Sequence, residues 1–284
     1  MLLKSASQKF ENQPLTSLVN AEKLLKGSAT FCLCGLLAAQ WLFATYIIIV
    51  YFVSLATGEP EAINKAGKIT GFVDGDTSGN IMLFAHVVPA ALLSIGGILQ
   101  LLPWLRSHYP IVHRWNGRVF LSLGLIGALS GLYLTWFRGS RLSDIGALGI
   151  TLNGLLIPIA IFCAWRFARQ KDFFQHARFA THAFLLINGV LFFRVFLMFW
   201  FIVNQGPNGN SSTLDGPMDI FLSYACYGLP MLLAELYFWA KKQNTALSVS
   251  IASLVLFVVG IALILGLYGA INMLWLPTIA KMMG

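Results

Sequence analysis

Seven apolar runs, each long enough to cross a bilayer, constrain this chain more than any other feature. Crossing the hydrocarbon core takes about 20 apolar residues. The runs are Ala29–Leu55, Asn80–Leu105, His113–Phe137, Asp144–Phe167, His176–Val203, Pro217–Ala240 and Ala246–Gly269. A backbone in lipid must satisfy its own polar groups, and no strand pattern competes, so each run is expected to be a helix. Of the 284 residues, 57% are hydrophobic and 11% charged, whereas a soluble domain carries about 25% charged residues. The expected fold is an all-α, seven-helix polytopic membrane protein. Its divisions are a cytoplasmic segment over 1–28, a bundle over 29–269 with a histidine-bearing core over 80–203, and an outer interfacial tail over 270–284 anchored by Trp275. No cleavable signal peptide is expected, because the first run is too long for a signal core.

The net charge of +8 does not point to nucleic acid, because the basic residues lie in short links between apolar runs. With the N-terminus in the cytoplasm, the inner side holds Lys4, Lys9, Lys23, Lys26, Arg106, Arg114, Arg118, Arg166, Arg169, Lys171, Arg178, Lys241 and Lys242. The outer side then holds only Lys65, Lys68, Arg138, Arg141 and Lys281. That asymmetry predicts the orientation and a bacterial cytoplasmic membrane. The four cysteines, Cys32, Cys34, Cys163 and Cys226, all fall in apolar runs and are read as small buried thiols. Two outer segments, 57–79 and 204–216, are polar connectors.

Ionisable residues inside apolar runs are costly and mark sites or buried pairs. His113 and His176 open their spans at the inner surface, while His182 lies about 9 Å deeper than His176. His86 belongs to an outer layer together with Asn153 and Arg194. His108 reads as an exposed interfacial residue. The His113 stripe carries Gly117, Gly124 and Gly131, with Gly127 nearby. The His182 stripe carries Arg178 and Gly189, and the His86 stripe carries Gly97 and Gln100. Such glycines admit a neighbouring helix or a flat ligand. Arg194 is expected to pair with Asp219, a ligand role being the alternative. Glu235 either snorkels toward Lys241 or Lys242 or faces the inner histidines.

Two neutral imidazoles at one depth on facing helices are what a b-type haem needs, and His113 and His182 are the expected pair. Arg114, Arg118 and Arg178 would then hold its propionates. A metal ion on His113, His176, His182 and Glu235 ranks lower, because His176 and His182 are about 120° apart on the helix. A quinone accepting a hydrogen bond from histidine is a further reading. Nucleophilic catalysis lacks its motifs: there is no GxSxG, no HExxH and no phosphate loop.

The run His113-Arg114-Trp115-Asn116-Gly117-Arg118, with His86, Gln100 and Arg106 before it and His176, Arg178, His182 and Arg194 after it, resembles an uncharacterised bacterial family of predicted membrane proteins with an HRW-x-GR signature. The resemblance covers about His86 to Trp200 and implies no activity. In layout, the chain is also remotely similar to the transmembrane di-haem cytochromes b. That similarity implies at most one haem, an inner one on His113 and His182, or none, and no outer haem, since Asn153 stands where the fourth helix would need a histidine. The sequence therefore predicts a membrane redox protein using haem b or a quinone near the inner face, working with a membrane redox partner or a second copy of itself. The competing class is an accessory subunit or a carrier for a lipid-like ligand, with His86, Asn153 and Arg194 lining an outer pocket.

Overall fold

The computed structural model describes residues 15–67 and 70–283. Lys4, Lys9 and Lys68, three of the charges behind the predicted orientation, lie outside the described residues. Eight principal helices build the bundle: α1 (Leu15–Ile47), α2 (Thr77–Gly96), α3 (Pro110–Trp136), α4 (Asp144–Arg169), α5 (Phe173–Ile187), α6 (Gly189–Val203), α7 (Pro217–Gln243) and α8 (Ala246–Gly269). Six helical stretches are long and apolar enough to cross a membrane, and a seventh span follows if α5 and α6 count as one. The chain is a polytopic all-helical protein, as its apolar runs predict.

The predicted fifth span is not continuous. It bends by 62° between α5 and α6, at Asn188. A break inside hydrocarbon frees backbone groups, and these must find partners. The local sequence supplies them. Asn188 Nδ2 donates to Phe184 O at 2.8 Å, and its Oδ1 accepts from Gln40 Nε2 on α1 at 3.0 Å. On the other side, Asn153 Nδ2 of α4 donates to Leu186 O at 3.1 Å. Asn153 fits because the next residue, Gly189, has no side chain: a Cβ there would stand 2.6 Å from Asn153 Nδ2.

The broken span is the centre of the bundle. α5 packs on α4, α7 and α3, while α6 packs on α8, α7 and α1. Phe184 and Leu186 of α5 and Leu191 and Val195 of α6 are almost fully buried. α8 approaches α6 closely at Gly266, where a Cβ would come within 2.4 Å of Val195 O. The periphery keeps its large apolar side chains, such as Leu155, Leu232 and Leu254, on the outside, as a lipid-facing surface requires.

Several boundaries differ from the sequence reading. Helix α1 begins at Leu15, inside the segment predicted to be a separate cytoplasmic piece. Its polar stretch is amphipathic: Ala21 and Leu25 pack with Ala240, Val249 and Ala252, and Ser28 hydrogen-bonds Ser253 at 3.0 Å. The second span stops at Gly96, not Leu105. A 3₁₀ turn (Gly97–Leu101) and a short helix (Pro103–His108) follow, because Leu102 is held extended by the proline after it. His108, as expected, is exposed, and it stacks on Trp104. Cys226 is buried, but Cys34 is exposed on the bundle surface and is not a core thiol.

The residues after the last span are helical. After Gly269 a π-helical segment (Ala270–Trp275) leads into a helix over Leu276–Met283. Trp275 is therefore no surface anchor. It is 3% exposed and packs on Phe43 and Tyr46 with ring centroids 5.9 and 6.0 Å away. A second π segment, Ile48–Val53, interrupts the first span on the same aromatic cluster.

The connector before α2 is held by Asp76. Its carboxylate caps the helix at Gly79 N (2.9 Å) and accepts from Arg138 Nε at 2.9 Å. The Gly79 hydrogen bond, reinforced by Arg138, holds its pKa below the ordinary carboxylate value. Stability from this cap is therefore complete above the unfolded value of about 3.9 and is lost as pH falls through the lower folded value. Thermal melting in detergent should be flat from neutral pH to about pH 5 and fall below about pH 4. Asp76→Asn should reduce that acid-side fall, and an unchanged acid limb would show that the cap contributes nothing. At the helix break, Asn188→Leu should cost about 1–3 kcal/mol, because Gln40 loses its buried partner. Adding Gln40→Leu should recover part of the loss in a double-mutant cycle.

Candidate functional site

The polar residues of the spans sort into two groups, one near each end of the bundle. The first surrounds a partly open cavity of about 190 Å³ lined by α1, α2, α3, α4 and the α5–α6 break. His86, Asn153 and Arg194, which the sequence placed at one depth, all line it. So do Tyr46, Tyr51, Asn188 and the glycines Gly124, Gly127, Gly131 and Gly154. Most of the remaining wall is aliphatic.

Each polar wall residue is held by its own element. His86 on α2 faces α3, where its Nδ1 lies 2.9 Å from Gly127 O. A carbonyl only accepts, so Nδ1 carries the proton and donates. Gly131 makes room for the ring, since a Cβ there would stand 3.0 Å from His86 Cε1. Pro89, one turn beyond His86 within α2, has no N–H to return to Ala85 O; Ser130 Oγ of α3 lies 3.3 Å from that carbonyl, its proton given to Ile126 O at 2.7 Å. Gly127 differs from the other glycines: a Cβ there would meet nothing within 4 Å. α3 is therefore filled by the His86 ring at Gly131 and stays open at Gly127.

Arg194 does not pair with Asp219. Its Nη1 donates to Val190 O at 3.1 Å, one turn back, and its guanidinium lies 5.4 Å from the centre of the Phe43 ring. Among the described residues, no carboxylate is within ion-pair distance of it. Asp219, only 1% exposed, is committed to the loop preceding its own helix. It accepts from Asn210 Nδ2 at 2.6 Å, Ser211 N at 2.8 Å and Gly216 N at 3.2 Å. A carboxylate in the first turn of a helix turns toward the free amides there before it reaches across the bundle.

The second group lies toward the start of α5. Arg178 grips Glu235 of α7 with two hydrogen bonds, from Nε and Nη2, both 2.6 Å. His182 Nε2 meets the same carboxylate at 2.5 Å. Glu235 thus turns to the histidine layer and not to Lys241 or Lys242, which are exposed. His182 Nδ1 is buried without a partner. His176 Nδ1 donates to Ala164 O at 2.9 Å. Gln100 packs on His113. With its amide oriented to satisfy both ends, Nε2 donates to His113 Nδ1 at 3.2 Å and Oε1 accepts from Gly117 N at 3.0 Å. Arg118 is exposed and covers Trp115 at 4.8 Å, and Arg114 is exposed.

The groups assigned to an inner haem have other partners here: His182 Nε2 meets Glu235, and Arg178 is hydrogen-bonded to the same carboxylate. Among the described residues, no three His, Cys, Asp or Glu side chains converge as a metal ion requires. What the arrangement does is tie α5 to α7 with a bidentate ion pair and a charge-assisted histidine contact.

Two residues of the break, Gln40 and Asn188, were passed over in the sequence although they carried the same signal as the histidines: a strongly polar side chain amid an apolar run. Tyr46 and Tyr51 gave no such signal, since tyrosine is common in spans.

Residues 83–238 match a family described as Predicted membrane protein (DUF2306). No curated protein and no solved structure matches the chain.

Replacing Glu235 with Ala should leave Arg178 unpaired and lower stability by about 1–2 kcal/mol, the low end for a pair that is a third exposed. Arg178→Lys should cost less. Unfolding in detergent checks both, and an Arg178→Lys loss as large as that of Glu235→Ala would show that a lysine charge cannot replace the bidentate geometry.

Proposed function

The chain belongs to this DUF2306 family of predicted membrane proteins, and on that premise we propose that it is a membrane-embedded binding protein or carrier for an amphipathic, lipid-soluble molecule. The single observation that carries this reading is the cavity at the helix break, which holds an arginine with no carboxylate partner. A guanidinium at membrane depth wants an anionic or strongly accepting partner. Among the described residues Arg194 has only a backbone carbonyl and an aromatic face, so its remaining donors are available to the head group of a ligand.

The size of the cavity supports a small head. Pockets that enclose a drug-sized ligand run to about 300–1,000 Å³, whereas about 150 Å³ is enough for one benzene ring. A cavity of about 190 Å³ holds one substituted ring or a compact head group, and an apolar tail would pass between helices into lipid. The proposed setting is a bacterial cytoplasmic membrane with the N-terminus inside, which places the cavity in the outer half. Electron transfer through an inner haem is the weaker proposal, because the histidines and arginine assigned to it are engaged with Glu235.

Native mass spectrometry of protein purified from its host membrane tests the binding reading. Wild type should carry a bound amphipath. Arg194→Gln should reduce its occupancy about tenfold, the loss of one charge-assisted hydrogen bond, with little change in melting temperature. Equal occupancy in the variant would overturn the assignment of Arg194.

A further inference from the structure

Resting on the cavity reading, we infer that the ligand presents a hydroxyl to His86, so that the site selects a lipid-soluble phenol or hydroquinone over the corresponding ether or carbonyl compound. The reason is the tautomer. His86 Nδ1 is 2.9 Å from Gly127 O, and Ser130 Oγ, 3.5 Å from the same nitrogen, already donates to Ile126 O at 2.7 Å. Both neighbours leave Nδ1 the role of donor. In the neutral ring Nε2 is then a lone pair without a proton, and it has no hydrogen-bond partner among the described residues. A histidine in an apolar cavity usually suggests a donor for a carbonyl ligand. Here the backbone of α3 has taken the donor, and what remains is an acceptor.

Two further observations favour a hydroxyl on a flat ring. Arg194 supplies the complementary donor, which matches the oxygen lone pairs of the same or a second hydroxyl. The α3 wall is built from Gly124, Gly127 and Gly131, and at Gly127 the space above the backbone is open, so a ring can lie on it. The inference concerns recognition only and involves no transfer of electrons.

The experiment compares two probes that differ by one methyl group, 4-decylphenol and its methyl ether, titrated by calorimetry into protein reconstituted in lipid nanodiscs. The phenol should bind about tenfold or more tightly, because the ether leaves the buried acceptor unpaired. His86→Phe keeps a ring but no acceptor and should bring the two probes to equal affinity. Gly127→Leu, which adds a side chain into open space, should weaken both. Equal binding of the two probes to wild type, lost in Gly127→Leu, would overturn the hydroxyl assignment while upholding the cavity. A preference for phenol that survives in His86→Phe would remove His86 as its source. Failure of wild type to bind either probe would overturn the cavity reading together with the inference. The phenol-to-ether ratio in wild type decides the hydroxyl question even where His86→Phe fails to fold.

Discussion

Hydrocarbon offers no partner to a free peptide group, and the architecture follows from how one interruption in a helix meets that constraint. At Asn188 the central span breaks by 62°; Asn153 of α4 and Asn188 itself take up backbone carbonyls beside the break, and Gln40 of α1 holds the Asn188 side chain. The bend separates α5, which packs against α3, α4 and α7, from α6, which packs against α1, α7 and α8. Two halves of a bundle thus share one central element, and a cavity is left beside the break where the walls diverge.

The same economy explains which polar residues are spent on structure and which are left over. Glu235 holds Arg178 and His182 Nε2, and Asp219 satisfies the turn before α7. Arg194 and His86, by contrast, each retain a donor or an acceptor that the protein does not use, and they retain it facing the same cavity. An apolar enclosure makes an unused hydrogen-bonding group costly, and binding a complementary molecule removes that cost. The candidate site is thus defined less by the number of polar groups than by which of them remain unpaired.

Glycine has two separate roles on α3. At Gly131 its lack of a side chain admits the His86 ring, and at Gly127 it leaves open space. Gly127 also contributes the carbonyl that sets the His86 tautomer. One short stretch of helix therefore shapes the cavity and determines the hydrogen-bonding character of its most polar wall residue.

Much of this was legible in the chain itself. The seven apolar runs specify an all-helical membrane protein because a backbone in lipid has no other economical form. The shared depth of His86, Asn153 and Arg194 follows from a fixed rise per residue. Depth along a helix axis is a local property and can be counted. What could not be counted is rotation about that axis and choice of partner. His113 and His182 suggested a pair, yet His182 turned to Glu235, and Arg194 and Asp219 suggested an ion pair, yet Asp219 turned to its own helix start. Trp275, expected at the surface, was carried inward when the last helix continued past Gly269. Those outcomes depend on which faces meet once eight helices have packed, and so does the decisive one: the contact between His86 and Gly127 O that leaves Nε2 as an acceptor. Local periodicity set the depth of each polar group, and only tertiary packing decided which of them remained without a partner.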